Sequence, residues 1–276
     1  MPILLAENAV KGTNLTPVIN QYMGEMDARF GWLAKQVREK IVDDEFLGGS
    51  LVTNAYDYPL QTEKLEGFMK WLAAQEDEGI LEIIRYEGRA TVVHTGWQDI
   101  YVKRGYSKGI VWAEKKMDEL GIAPPETDVA IGAVLGGPVH ADALGMMYLR
   151  NFTELKGITA AMDQKISRVL ADGMMQGKNP RAIATDLAGR NGVIKKLGLQ
   201  RARTLARTET ARAFDEASLN RYVDYKVEEV DWIYGGGPCP SNVCPDGAAG
   251  SPYKIEDARG LIPAHPNCTC AWGPVV

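Results

Sequence analysis

The chain has 276 residues, of which 45% are hydrophobic and 24% charged. That is the composition of a globular protein with one or two cores, and it excludes disorder over the whole length. Lys and Arg number 31 against 36 Asp and Glu, a formal charge of −5, so a globally basic nucleic-acid coat is excluded while a local basic patch is not.

Taken in order, the N-terminus MPILLAENAVKG has a short apolar start without a basic flank or a small-residue cleavage pattern. It is not expected to be a signal peptide, so synthesis is expected in a cytoplasm. Thr16-Pro17 pairs an N-cap with a proline at the first helical position. Apolar residues then recur at Ile19, Tyr22, Met26, Phe30, Leu33, Val37 and Ile41, the three-and-four spacing of a helix. Asp43 to Pro59 reads as a loop, partly extended at Ser50-Leu51-Val52. A second helix follows Thr62 with Leu65, Phe68, Met69 and Leu72 inward. A β-like stretch is expected at Thr91-Val92-Val93, then a helix from about Asp99 to Leu120, ended by Gly121 and Pro124-Pro125.

The longest apolar run, Val129 to Ala141, contains three glycines and a proline and is too short for a membrane span, so no membrane partner is expected. It reads as a connector. The expected organisation is an N-terminal helical region over 1–120, a linker over 121–139 and a C-terminal domain over 140–276. Its last part, 227–276, holds a strand and a Cys/His module.

From Leu144 to Met174 helical spacing persists for more than thirty residues, giving a rod that serves as a bundle spine or lies along another subunit. Met146, Met147 and Met175 fall partly off its apolar stripe. Gly177-Lys178-Asn179-Pro180 breaks the rod and restarts a helix capped by Asn179, which ends at Gly189. A helix from Leu199 to about Tyr225 leads into Val227–Tyr234, whose alternation predicts a strand. The fold class is therefore mainly α, with long helices and a small C-terminal α+β module bearing the cysteines.

All four cysteines lie within the last 38 residues. Cys239 and Cys244 are followed by His265, Cys268 and Cys270. Thiolate and imidazole donors at paired short spacings suit tetrahedral zinc, so zinc is the expected cofactor, with five candidates for four places. Disulfides are the alternative, and a nucleophilic Cys268 with His265 as base a further one. The many prolines and glycines around the cysteines suggest little capacity for a separate hydrophobic core. His94 and His140 have no ligand-spaced partner and are assigned no function.

Lys178 to Arg212 holds nine basic residues against two acidic, +7 locally, which leaves −12 for the other 241 residues. Lys178, Arg181, Arg190, Lys195, Lys196, Arg201 and Arg203 are the candidate contacts for DNA phosphates, weak and without sequence preference. A solvated face or an acidic protein partner is the other reading. Arg207 and Glu209 are expected to form a structural ion pair.

Ala206-Arg207-Thr208-Glu209-Thr210-Ala211-Arg212-Ala213, then Val230-Asp231-Trp232, the Cys239/Cys244 pair, Asp246-Gly247 and His265-Pro266-Asn267-Cys268-Thr269-Cys270 occur in an order that resembles the phage head morphogenesis domain of Mu F-like minor head proteins. The resemblance covers about Phe152 to Trp272. Thr269 stands where that family usually has arginine, and the four-residue gap between Cys239 and Cys244 is wider than its commoner two-residue gap. The resemblance implies a non-enzymatic minor capsid protein of a tailed bacteriophage, in the capsid interior near the portal vertex. Its implied partners are the portal protein, capsid components and genomic DNA, and its implied role is head morphogenesis with DNA packaging or ejection. Outside that family, a zinc-module nucleic-acid-binding protein and a Cys/His thiol hydrolase or transferase remain as alternatives.

Overall fold

The computed structural model describes residues 13–85, 94–125, 130–236 and 239–276. The β-like stretch expected at Thr91–Val93 lies outside them. In chain order the elements are helix α1 (Thr16–Val42), strands β1 (Ser50–Val52) and β2 (Ala55–Asp57), α2 (Gln61–Gly79), β3 (Ile83–Arg85), β4 (His94–Gly96), α3 (Asp99–Glu119), α4 (Ile131–Gly136), α5 (Pro138–Met175) and α6 (Pro180–Ala188). A π-helical turn (Ile194–Leu199) runs into α7 (Gln200–Asp224), followed by β5 (Glu229–Ile233), α8 (Val243–Ala249), β6 (Tyr253–Lys254), α9 (Ile255–Ala258) and β7 (Ala271–Val275). The fold is mainly α-helical with a small C-terminal β-sheet, as the periodicities lead one to expect. Among the described residues no helix is long and apolar enough to cross a membrane.

The chain forms two compact units: residues 1–22, 98–151 and 204–276 make the first, and 23–97 with 152–203 the second. These units cut across the chain-order division expected from the sequence, and the expected 121–139 linker contains α4. Periodicity identifies a helix's buried face but carries nothing about which distant element covers it.

In the first unit, α3 and α7 cross closely at Gly109. A Cβ there would lie 2.1 Å from the Phe214 carbonyl oxygen and 2.8 Å from the Ala217 Cβ. Val102, Tyr106 and Ile110 of α3 pack with Leu144 and Met147 of α5 and with Ala213 and Ala217 of α7. A polar chain is buried beside them. Asn220 donates to the Tyr106 hydroxyl at 2.9 Å, which meets His140 Nδ1 at 2.9 Å, and His140 Nε2 meets Asp224 at 3.1 Å. Arg221, fully buried, donates to Asp224 and to Glu114. His140 is thus a core histidine with both ring nitrogens engaged, which is how a buried polar side chain avoids its desolvation penalty.

The C-terminal sheet has the order β6-β5-β7, antiparallel throughout, with Trp232 facing Trp272 across the β5–β7 register. It does not stand apart from the helices. Trp232, Trp272, Cys244, Cys268 and Cys270 share one cluster with Ala113 and Met117 of α3 and Leu219 and Tyr222 of α7. The Trp112 indole N–H and the Tyr222 hydroxyl both donate to the Trp272 carbonyl, at 2.9 and 3.1 Å. The proline-rich loops do not pack alone: helices α3 and α7 supply the core that they lack.

The second unit buries Met26, Phe30, Leu33, Val37 and Ile41 of α1 with Phe68 and Leu72 of α2, and Leu155, Met162, Ile166 and Leu170 of α5. The segment expected to be a partly extended loop is a hairpin, β1–β2, whose Tyr56 N–H donates to the Gly177 carbonyl at 2.9 Å. Asn179 caps α6 as its sequence indicates, its side chain accepting from the Arg181 N–H at 2.8 Å.

Candidate metal centre and basic surface

Two local structures bring the sulfur ligands together. His265-Pro266-Asn267-Cys268 closes a turn in which the Cys268 N–H donates to the His265 carbonyl at 3.0 Å. Proline stands at its second position and Asn267, at φ 64°, at its third, the requirements of a type II turn. On the other side Pro240–Asn242 forms a 3₁₀ turn that delivers Cys244 at the start of α8, and the Cys244 N–H points at the Cys239 sulfur at 3.2 Å. Gly247 lets α8 lie against the Trp232 ring, which a Cβ would meet at 2.7 Å.

The donors fall into two groups, Cys239 with Cys244 and His265, and Cys244 with Cys268 and Cys270, each within 4.8 Å. Cys244 belongs to both. Its sulfur lies 3.7 Å from that of Cys268. Zinc–sulfur bonds of about 2.3 Å in a tetrahedron place two sulfurs about 3.8 Å apart, so the spacing fits thiolates around one ion. All four cysteines are free thiols in this structure, close enough for the disulfide alternative to stand beside the metal.

The thiols are electrostatically unequal. Hydrogen bonding from Cys270, joined by the backbone N–H groups of Cys270 and Ala264, lowers Cys268 to about 5, against the opposing effect of burial. Burial, with the neighbouring thiols, raises Cys244 to about 12. Cys270 is raised by its hydrogen bond to Cys268 and by burial. A buried thiolate stabilised by N–H donors is the form in which cysteine binds a metal.

Arg207 and Glu209 do not pair with each other. Two residues along a helix are about 200° apart around its axis, so their side chains diverge. Arg207 donates through Nη1 to Asn267 Oδ1 at 3.1 Å, while the buried Glu209 takes Arg150 at 3.3 Å and Arg212 at 3.5 Å. Asn267 is thus a partner that the sequence reading missed, although it sits in the HPNC turn. Asp215, fully buried on α7, was also missed; burial first, and then the Cys268 charge, hold its carboxyl well above the usual range.

The seven expected DNA contacts all lie in the second unit. Two are engaged: Lys178 pairs with Asp186 at 3.1 Å, and Arg203 makes a two-pronged pair with Asp27. Arg181, Arg190, Lys196 and Arg201 are exposed and Lys195 half-buried, and among the described residues these five form no ion pair.

The chain is mainly helical, with α7 tied to a cysteine-bearing turn, and part of it is similar to one known family. Residues 164–272 match the family described as Phage Mu protein F like protein, a stretch that runs from within α5 through α7 to β7 and contains every cysteine. No curated protein and no solved structure matches the chain.

Proposed function

We propose that the protein is a minor capsid protein of a tailed bacteriophage, associated with the portal in the capsid interior and acting in head morphogenesis and the packaging or delivery of DNA. The observation that carries this reading is the family match over residues 164–272. Its role is assembly. The Cys/His hydrolase alternative finds no support in the site, where His265 groups with Cys239 and Cys244 while Cys268, 6% exposed, falls in the other group.

In this reading Cys239, Cys244 and Cys268, with either His265 or Cys270, hold one zinc ion. Zinc there supplies a structural crosslink between the α8 loop and the HPNC turn. Elemental analysis of protein purified under reducing conditions should return about one zinc per chain. Two disulfides by mass spectrometry, without zinc, would replace the metal with a crosslink.

The contact with the portal is assigned to the N-terminal part of α5, where Val139, Met146 and Leu149 are exposed, Met146 at 68%. Coexpression with portal and head proteins tests the whole reading. Wild-type protein should sediment with assembled heads, and failure to do so would overturn the proposal. The weak contact with DNA is assigned to the exposed basic residues of the second unit. Reversing Lys196 and Arg201 to Glu should flatten the salt dependence of binding; Arg203 is left alone because its pair with Asp27 would be lost.

The zinc-module nucleic-acid reader is the second reading, favoured by those exposed basic residues. Its weakness is their location. The cysteine module belongs to the first unit and the seven basic residues to the second, whereas a zinc-module reader places its basic residues on the module itself.

A further inference from the structure

In the second unit a notch of about 270 Å³ lies between α1 and α6, lined by Arg38, Val42, Arg181, Ala184, Thr185 and Ala188, with Gly189 at its end. Two exposed arginines on the lining of one small cavity present like charge to it, which favours an anion there. Neither is neutralised within its own helix. One turn from Arg38 stand Ala34, Lys35, Ile41 and Val42, and one turn from Arg181 stand Lys178, Ala184 and Thr185, none of them acidic.

Nor do other elements supply a counterion. Among the described residues neither side chain forms an ion pair or a hydrogen bond. Glu39 on α1 pairs with Lys35 at 3.5 Å, and Asp44, two residues beyond the helix, with Lys40 at 3.2 Å. Asp186 is held by Lys178. Glu45 lines a neighbouring cavity that Arg181 also borders, without pairing with it. The remaining polar groups in the notch are already committed. Thr185 donates its hydroxyl proton to the Arg181 carbonyl at 2.8 Å, and the Gly189 N–H donates to the Thr185 carbonyl at 2.9 Å. What the notch offers is therefore two arginines without a counterion beside the apolar Val42, Ala184 and Ala188.

We propose that this notch is a phosphate-binding site, in which Arg38 and Arg181 together hold one phosphodiester group of the DNA backbone. The proposal rests on the DNA contact assigned above and deepens it. Arg38 joins the basic surface from a helix more than a hundred residues earlier in the sequence, and the site is a built pocket with two arms. Guanidinium suits the role because its planar fork reaches two phosphate oxygens at once, whereas an ammonium acts as a point charge. The other exposed basic residues, Arg190, Lys196 and Arg201, then contribute the looser attraction along the duplex.

A single phosphate shared by two arginines has a signature that a loose charged patch lacks. For the full chain, binding to a short duplex should be followed by fluorescence anisotropy across a salt series, with Arg38→Ala, Arg181→Ala and the double variant. Each neutralised phosphate contributes about −0.9 to the slope of log affinity against log salt. If the phosphate is shared, either single variant should lose most of that increment and the double variant little more, a non-additive cycle. Inorganic phosphate should raise the melting temperature of the wild type and not that of the double variant.

Additive losses in the two single variants, or unchanged affinity and slope in the double variant, would overturn the shared site. If, in addition, Lys196→Glu with Arg201→Glu still weakened binding, the general DNA contact would stand without the notch. No binding of wild type at low salt would remove both. Unchanged DNA binding with loss of incorporation into heads would assign the notch to an acidic protein side chain and overturn the phosphate reading. Melting curves and circular dichroism of each variant establish that it is folded. Both residues lie on the surface, and alanine is favourable in helices.

Discussion

Arg207 and Asn267, sixty residues apart in the chain, meet through a hydrogen bond of 3.1 Å that joins α7 to the turn carrying Cys268. Asn267 is the left-handed residue of that turn, at φ 64°, and its side-chain oxygen accepts the bond. The bond ties to α7 a turn whose last residue, Cys268, lies in the cysteine cluster.

Arg207→Ala is expected to cost little global stability, about 1 kcal/mol or less for an exposed hydrogen bond of this kind. The effect should instead appear in metal retention. If the site takes zinc as proposed, a chelator titration of zinc-loaded protein should strip the metal from the variant at a lower chelator concentration than from the wild type, since residues that orient a ligand turn commonly account for about tenfold or more in metal affinity. Equal retention would show that the turn is held by its cysteines alone.

A second expectation concerns pH. In the second unit Glu76, 3% exposed, is pushed up to about 9, first by burial and then by the Asp163 charge, and burial raises Asp163 as well. The folded protein therefore keeps a proton on Glu76 that the unfolded chain releases above about 4.3. Its contribution to stability is complete below that value, declines as pH rises towards about 9, and is flat beyond. Glu76→Gln removes this titration. The melting temperature of the wild type should fall between pH 5 and 8 more steeply than the variant's, the difference reaching about 3 °C or more, roughly the shift that 1 kcal/mol produces in a chain of this size. Parallel curves would show that the carboxyl is solvated.

The two adjacent methionines of α5 should separate cleanly. Met147 is 8% exposed and packs with Val102 and Ala213, whereas Met146 is 68% exposed. Met147→Glu buries a carboxylate in that core and should cost about 3 kcal/mol or more. Met146→Glu should stay within about 0.5 kcal/mol of the wild type yet exclude the protein from heads. Retained incorporation of the Met146 variant would rule out this face of α5 as the proposed portal contact.

The course of the helices was legible in the sequence because each one buries a stripe. Tyr22, Met26, Phe30, Leu33, Val37 and Ile41 are all at most 1% exposed, in the spacing that predicts them. Caps and turns with specific chemistry were legible too, as Asn179 with Pro180 shows. The candidate ligands could be named, but not their division into two groups sharing Cys244, which depends on how two loops are laid against α3 and α7. The pairings of Glu209 with Arg150, and of Trp112 with the Trp272 carbonyl, span 59 and 160 residues. No local pattern carries contacts of that range, and so the chain-order division into halves could not foresee units assembled from three segments and from two.

The strand β7 supplies the acceptor for Trp112 from 160 residues downstream. At a synthesis rate of about 5–20 residues per second, α3 leaves the ribosome roughly 10 to 30 s before the strand that covers it. During that interval Trp112, Ala113 and Met117 are exposed apolar surface on a nascent helix, open to chaperones and to other chains. The β5–β7 pairing and the cover it gives to α3 form only once that strand is free, so a chain truncated before β7 would carry an uncovered α3.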